Sequence, residues 1–255
     1  MSPARRSARV ATACALAACL GAAPAGCSTR AVPACNPYFP LQAGASWSYR
    51  DLRQQAGAAI ERRLAVDSVE GDAHVVTAVM TQDVQAGAGV GGDAGGTGGG
   101  RTIVRCASGA IATSVEGTAR TGSGAAARVR AELPGFPPAE KLVPGFEWRA
   151  EGRIETQGGY DRSTTTIRRE SRVDGFFPVE TRAGKFAQSL HVSSIETLST
   201  GEGPKAREAR QKIREWYVRG IGLVKRDTRL ADASGKEQAA SAEELVHFTG
   251  VRAEP

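Results

Sequence analysis

From residue 46 onward the sequence is a succession of short β-prone runs, separated by Gly, Pro and Asp rather than by stretches long enough for a helix. The first of them are SWSYRDLR (46–53), RLAVDSV (63–69), HVVTAVMT (74–81), RTIVRCA (101–107), GAIATSVE (109–116) and EWRAEGRIET (147–156). STTTIRRESRV (163–173), SLHVSSIETLS (189–199), KIREWYVR (212–219), GLVKRDTRL (222–230) and EELVHFTG (243–250) follow. Several alternate with the period of a strand. Leu190 and Val192 stand against His191 and Ser193, and Ile213, Glu215 and Tyr217 stand against Arg214, Trp216 and Val218. Strands joined by short turns, without crossover helices, pair antiparallel. The expectation is one all-β domain over residues 40–250: a single antiparallel sheet, strongly curved or partly closed, shaped like half a barrel. Its core draws on 3 Trp, 4 Tyr and 7 Phe, each contributing about 2–3 kcal/mol when buried.

Two low-complexity stretches interrupt this pattern. AGAGVGGDAGGTGGG (86–100) holds nine Gly in fifteen residues. Ordering so many Gly costs backbone entropy and buries no side chain, so a disordered excursion at a hairpin tip is expected. Gly87, Gly89 and Gly92 have the spacing of the dinucleotide fingerprint, but no helix follows to present its N-terminus to a pyrophosphate. No cofactor is expected. GTARTGSGAAAR (117–128) reads as a second segment of the same kind.

The N-terminus marks the chain for export. MSPARRSAR (1–9) carries three Arg and no acid, and the uncharged VATACALAACLGAAPAGC (10–27) follows. Residues 1–26 have the form of a signal peptide. Their apolar run is too short and too rich in Ala and Gly for a spanning helix, and no later segment supplies the roughly 20 apolar residues a span needs. Arg5-Arg6 lacks the hydrophobic residues that follow the pair in twin-arginine signals, which favours general secretion. Small residues precede both Cys27 and Cys19, as a lipoprotein signal peptidase requires before the thiol receives a diacylglyceryl group. Cys27 is placed first and Cys19 is the alternative, with unlipidated cleavage after Ala23-Pro24-Ala25 a third reading. The expected organisation is then a tether over residues 27–39, the β-rich domain, and a C-terminal tail over 251–255. The expected location is the outer membrane facing the periplasm, or the cell surface.

Cleavage before Cys27 leaves Cys35 and Cys106, an even pair in an oxidising compartment and a candidate disulfide. It also removes three Arg and no acid, lowering the formal net charge from +6 to +3. PKAREARQKIREWYVR (204–219) can lie against anionic lipid or lipopolysaccharide. With Glu208 and Glu215 interspersed, a solvated strand face or loop is the favoured reading. Export leaves nucleic acid out as a partner.

Leu-x-x-Gly-x-x-Trp occurs twice, as LQAGASW (41–47) and LVPGFEW (142–148). Each copy reads as the opening of a strand: the Leu packs before a turn, Gly44 or Gly145 takes a backbone angle closed to other residues, and the Trp returns to cover the apolar edge. Two related halves, an old duplication and coincidence all remain open. NPYFPLQAGASWSYR (36–50), VETRAGKFAQSLHV (179–192) and REWYVRGIGLVKRD (214–227) resemble three signatures of uncharacterised bacterial exported lipoproteins. Tyr38, Pro40, Leu41, Gly44, Trp47 and Tyr49 carry the first; Ala183, Gly184 and Phe186 the second; Trp216, Tyr217, Gly220, Gly222, Leu223, Val224 and Lys225 the third. Arg182 departs from the Pro usual in the second. The resemblance implies a β-rich envelope domain and brings no activity. By its residues the third signature is a hairpin, with a tight or bulged turn at Gly220 and Gly222.

No catalytic constellation is present in the sequence: no Gly-x-Ser-x-Gly elbow, no His-Glu-x-x-His, no Walker loop and no Cys-x-x-Cys. An enzyme is not expected. His74, His191 and His247 are separated singles on strand-like runs and read as structural rather than metal-binding. Glu155, Asp161 and Glu170 have no spacing that singles out an acid and a base. Trp47, Tyr49, Trp148, Trp216 and Tyr217 are the candidates for filling the core or lining a ligand cavity. Two roles follow: a membrane-anchored module that shelters a lipid or another apolar ligand in its curved sheet, or an envelope scaffold that binds protein partners without a ligand.

Overall fold

The computed structural model describes residues 35–52, 61–71, 75–85, 100–120, 126–158, 161–201, 206–232 and 237–251. Residues 1–26, read as a signal peptide, Cys19, Cys27, His74 and the Gly-rich stretch before Gly100 lie outside them. Among the described residues twelve strands form one sheet. They are β1 (Ser46–Asp51), β2 (Glu61–Gly71), β3 (Val75–Gln85), β4 (Gly100–Ala107), β5 (Ala110–Arg120) and β6 (Ala126–Phe136). The second six are β7 (Glu147–Gly158), β8 (Asp161–Thr181), β9 (Gly184–Thr200), β10 (Arg207–Val218), β11 (Gly222–Asp232) and β12 (Glu237–Thr249).

Each strand pairs antiparallel with the next, and β1 pairs with both β2 and β12, so the sheet is a closed barrel. This corrects the half-barrel expectation. Closure depends on contacts such as Ser46 opposite Thr249, which no local pattern announces. It also removes the exposed edges an open sheet would leave.

The alternation seen in the sequence sets inside and outside. Leu190, Val192, Ile213, Glu215 and Tyr217 are buried in the lumen, while Arg214 is exposed. Outward positions are charged: Glu147, Arg149, Glu151 and Arg153 on β7, and Arg168, Glu170 and Arg172 on β8. A bilayer-spanning barrel needs an apolar outward band. This wall is built for water.

Three segments differ from expectation. β8 runs on to Thr181, beyond the expected end at residue 173, because bulges between Val173 and Gly175 and between Phe177 and Val179 absorb the Gly and Pro that read as a turn. β5 and β6 occupy much of the stretch read as low complexity. On β6 the inward residues Ala127 and Ala131 are small, so burial there leaves little hydrophobic signal in the sequence. Gly100 belongs to β4 rather than to the Gly-rich loop.

The expected tether is also shorter. Asn36 and Tyr38 are buried, and Asn36 Nδ2 donates to the carbonyls of Gly109 (2.7 Å) and Pro137 (3.2 Å). Gly220 N–H donates to Pro37 O (2.7 Å). Residues 35–45 therefore stopper one end of the barrel. Val251, placed in the tail by the sequence, is buried as well.

Cys35 and Cys106 form a disulfide across a sequence separation of 71 that staples this stopper to β4. Cross-linking a loop of that length restricts the unfolded chain, so Cys35→Ser with Cys106→Ser is expected to lower stability by about 2–4 kcal/mol. Urea denaturation of the variant against the oxidised protein measures it. A midpoint shift equivalent to less than about 0.5 kcal/mol would show that the stopper holds without its bond.

The two Leu-x-x-Gly-x-x-Trp copies open β1 and β7, which stand on opposite sides of the ring. Their backbones bond alike. Gly44 N donates to Val66 O (2.9 Å) and Val66 N to Ala45 O (2.8 Å), while Gly145 N donates to Val173 O (2.8 Å) and Val173 N to Phe146 O (2.9 Å). Both Gly adopt positive φ, 80° and 85°. The copies therefore do the same job in two halves of one barrel.

Candidate functional site

The halves line the lumen differently. In the register, Met80 on β3, Thr102 on β4, Val115 on β5 and Ala131 on β6 face one another in a row. The corresponding row of the second half is Val192 on β9, Glu215 on β10, Arg226 on β11 and Glu243 on β12. The first row is apolar apart from Thr102, and the second is charged from β10 to β12.

Between the walls lies a cavity of 240 Å³. Leu64, Met80, Val104, Val115 and Leu133 supply its apolar side, with Arg62 and Arg226 on the other. The stopper residues Tyr38, Phe39, Pro40 and Leu41 form its floor.

The charged wall is a continuous ion-pair network. Arg226 donates to Glu215 Oε1 through Nε (2.9 Å) and a terminal nitrogen (2.7 Å), and to Glu243 Oε1 (3.2 Å). Arg62 donates to the same Glu243 oxygen (2.8 Å), with its guanidinium 4.7 Å from the centre of the Tyr49 ring. On the far side Arg169 approaches Glu215 (3.8 Å) and bonds Glu196, which also accepts from Gln211. Three Arg thus face three Glu.

Burial alone would raise the carboxyl of Glu215, but Arg226 and Arg169, with hydrogen bonds from Arg226 and Tyr217, outweigh it and hold the pKa below the ordinary 4.5. The Tyr217 phenol is pushed well above its usual value by burial and by Glu215. Burial likewise raises Tyr49, whose hydroxyl donates to Leu223 O (2.9 Å). These phenols are neutral hydrogen-bonding groups in the lumen.

Of the sequence candidates, Trp47, Tyr49 and Tyr217 reach the cavity. Trp148 packs against Phe136 and Phe146 away from it. Trp216 lies on the outer wall, stacked on His191 at 4.7 Å with Lys225 over its ring at 5.4 Å. The sequence reading missed Arg62, Arg169, Glu196, Arg226 and Glu243. Its one available signal was Glu215, a carboxylate on the same strand face as Ile213 and Tyr217.

His191 lies 3.5 Å from Asp174 on the outer wall, and its pKa is lowered by burial against the opposing pull of Asp174. His247 is exposed. Among the described residues no three potential ligands gather to hold a metal. Glu155 pairs with Arg153 (3.0 Å) and Arg162 (3.2 Å), and Glu170 pairs with Arg149 (3.1 Å), so these acids serve separate surface ion pairs.

The fold defines a closed antiparallel barrel with a stoppered end and a two-sided lumen. It is similar to the crystal structure of a Bacteroides fragilis protein assigned as exported, with a YmcC-like fold, at 18% identity and a TM-score of 0.56. The match covers 84% of this chain and 100% of that one. It is also similar to a Parabacteroides distasonis protein assigned as a lipoprotein, at 16% identity and a TM-score of 0.53, covering 84% of this chain and 99% of that one. At such identities the likeness establishes the fold. No family model matches the sequence, and no curated protein matches it.

Proposed function

We propose that this is an exported, lipid-anchored envelope protein whose barrel lumen shelters a small, largely apolar ligand. The observation that carries the reading is the mixed cavity, lined on β3–β6 by Met80, Val104, Val115 and Leu133 with Gln82, Thr102 and Thr113 among them, and by Arg62 from β2 and Arg226 from β11. An apolar body gains by leaving water on the first side, and a hydrogen-bonding group finds donors on the second. The likeness to an exported protein and to a lipoprotein supports the envelope setting. So do the Arg-rich start and the small residues before Cys27 and Cys19.

The cavity's 240 Å³ lies below the roughly 300–1,000 Å³ of drug-sized sites, so the ligand is a short chain or small ring rather than a two-chain lipid. The charge of the opposite wall is already balanced, which favours an uncharged ligand. Hexanol, hexanone and hexanoate added singly to the purified protein test this by quenching or enhancing Trp47 fluorescence. Met80→Phe narrows the cavity without adding an indole and is expected to weaken the response to hexanol while leaving the unfolding transition within about 1–3 kcal/mol of wild type. A response unchanged by Met80→Phe would place binding elsewhere. No response to any of the three probes would favour the ligand-free scaffold.

A further inference from the structure

The basic segment of β10 finds a place on the outer wall. Its outward residues Lys212 and Arg214 fall in two neighbouring rows that cross β7–β10. One row contains Arg172 and Arg214, and the other contains Ile195 and Lys212. The row between them, through Ser171, Ser194 and Ile213, points its side chains into the barrel. Two outward rows with an inward row between them leave a trough, and its volume is 700 Å³.

The trough is unevenly charged. Arg149 is tied to Glu170 (3.1 Å), and just beyond the trough Asp174 is engaged by His191 and Ser193. Arg172, Lys212 and Arg214 then share the trough with Glu147 alone, with Asp227 beside it, opposite Arg214 on β11, so the trough itself keeps an excess of positive charge. Ile195 stands 49% exposed within this charged surface. One step further along the strands, Phe177 is 48% exposed and edges onto the His191–Trp216 stack that Lys225 covers.

Cations interleaved with exposed aliphatic and aromatic side chains suit a surface that is anionic at its head groups and apolar beneath. We propose that this trough is the face on which the barrel lies against an anionic bilayer. The assignment rests on the lipid-anchored reading in one respect. From a lipidated Cys27 to Cys35, eight residues span at most about 29 Å, which confines the barrel to the neighbourhood of the membrane. Over that range a weak surface attraction is enough to set orientation.

The barrel closes on its own strands, so residues 28–255 without lipid are the protein to test. Co-sedimentation with phosphatidylglycerol–phosphatidylcholine vesicles at low salt is expected to exceed that with phosphatidylcholine alone, and to fall at high salt. Lys212→Gln with Arg214→Gln is expected to weaken vesicle binding about 30-fold, the effect of removing two basic residues from such a surface. Arg63→Gln with Arg105→Gln, on β2 and β4 across the ring, is expected to leave binding unchanged. Equal binding to neutral vesicles, or no loss in the Lys212/Arg214 variant, would overturn the proposal. Displacement by millimolar inorganic phosphate at constant ionic strength would also overturn it, in favour of a small-anion site. Intact mass spectrometry of the protein from bacterial envelopes tests the anchor separately, so the two readings fail independently.

Discussion

Trp47→Ala is expected to cost about 3–5 kcal/mol, a large share of the roughly 5–15 kcal/mol that holds a domain together. Trp47 is 5% exposed, and its indole N–H donates to the carbonyl of Ile221 at 2.7 Å. That carbonyl belongs to the β10–β11 turn, where Ile221 is fully buried, so the Trp ties β1 to the stoppered end. The substitution opens a cavity and also leaves a buried acceptor without a donor.

Trp148 gives the control. It opens the second half in the same way, but it is only partly buried and its indole N–H has no protein partner. Trp47→Phe, which keeps a ring and removes the donor, is therefore expected to cost about 1–3 kcal/mol more than Trp148→Phe. Urea unfolding of the three variants measures both effects. Equal losses at the two positions would mean that the Ile221 bond contributes nothing and the halves are energetically alike.

Glu215→Ala is expected to cost a comparable 3–5 kcal/mol, because it leaves Arg226 beside an apolar gap with only Glu243 to pair with. Replacing both partners, Glu215→Leu with Arg226→Met, should recover most of that loss. The remaining ion pairs stay in balance, Arg62 with Glu243 and Arg169 with Glu196, and the part not recovered is the Tyr217 hydroxyl that loses Glu215 as its acceptor. A double variant no more stable than Glu215→Ala would show that the ion pair itself, rather than the orphaned charge, carries the stability.

The same pair sets a pH dependence. Glu215 is held below its ordinary 4.5 by the surrounding Arg residues. A carboxyl depressed in the folded state binds its proton more readily once unfolded. Its stabilisation is fully present above pH 4.5 and is lost as the pH falls through the lower folded value. The Glu215→Leu/Arg226→Met protein should therefore lose less stability than wild type between neutral pH and the acid limb. Parallel acid limbs would contradict this.

Much of the wall was legible in the sequence. Alternation along residues 189–199 and 212–219 assigned inward and outward faces, because burial on one side of a strand imposes a period of two. The exceptions have physical causes. Ala127 and Ala131 face the core without bulk, which hid β6, and bulges carried β8 through a Gly and a Pro that ordinarily stop a strand. Residues 35–39 read as tether because the partners that bury them, Gly109 and Pro137 for Asn36 and Phe136 and Tyr217 for Phe39, lie far along the chain.

The candidate site was less legible. Tyr49 and Tyr217 stood out as aromatic residues, but Arg62, Arg226 and Glu243 look in sequence like any solvated strand charges. They come from β2, β11 and β12, and only barrel closure brings them onto one wall. The sequence by itself determined the all-β class, the facing of most strands and the use of Gly at each repeated turn. Those properties depend on local chemistry: a period of two, a backbone angle. The tertiary structure decided closure, the stoppered end, the apolar and charged walls and the outer trough, because each arises from residues far apart in the chain that meet only when β1 pairs with β12.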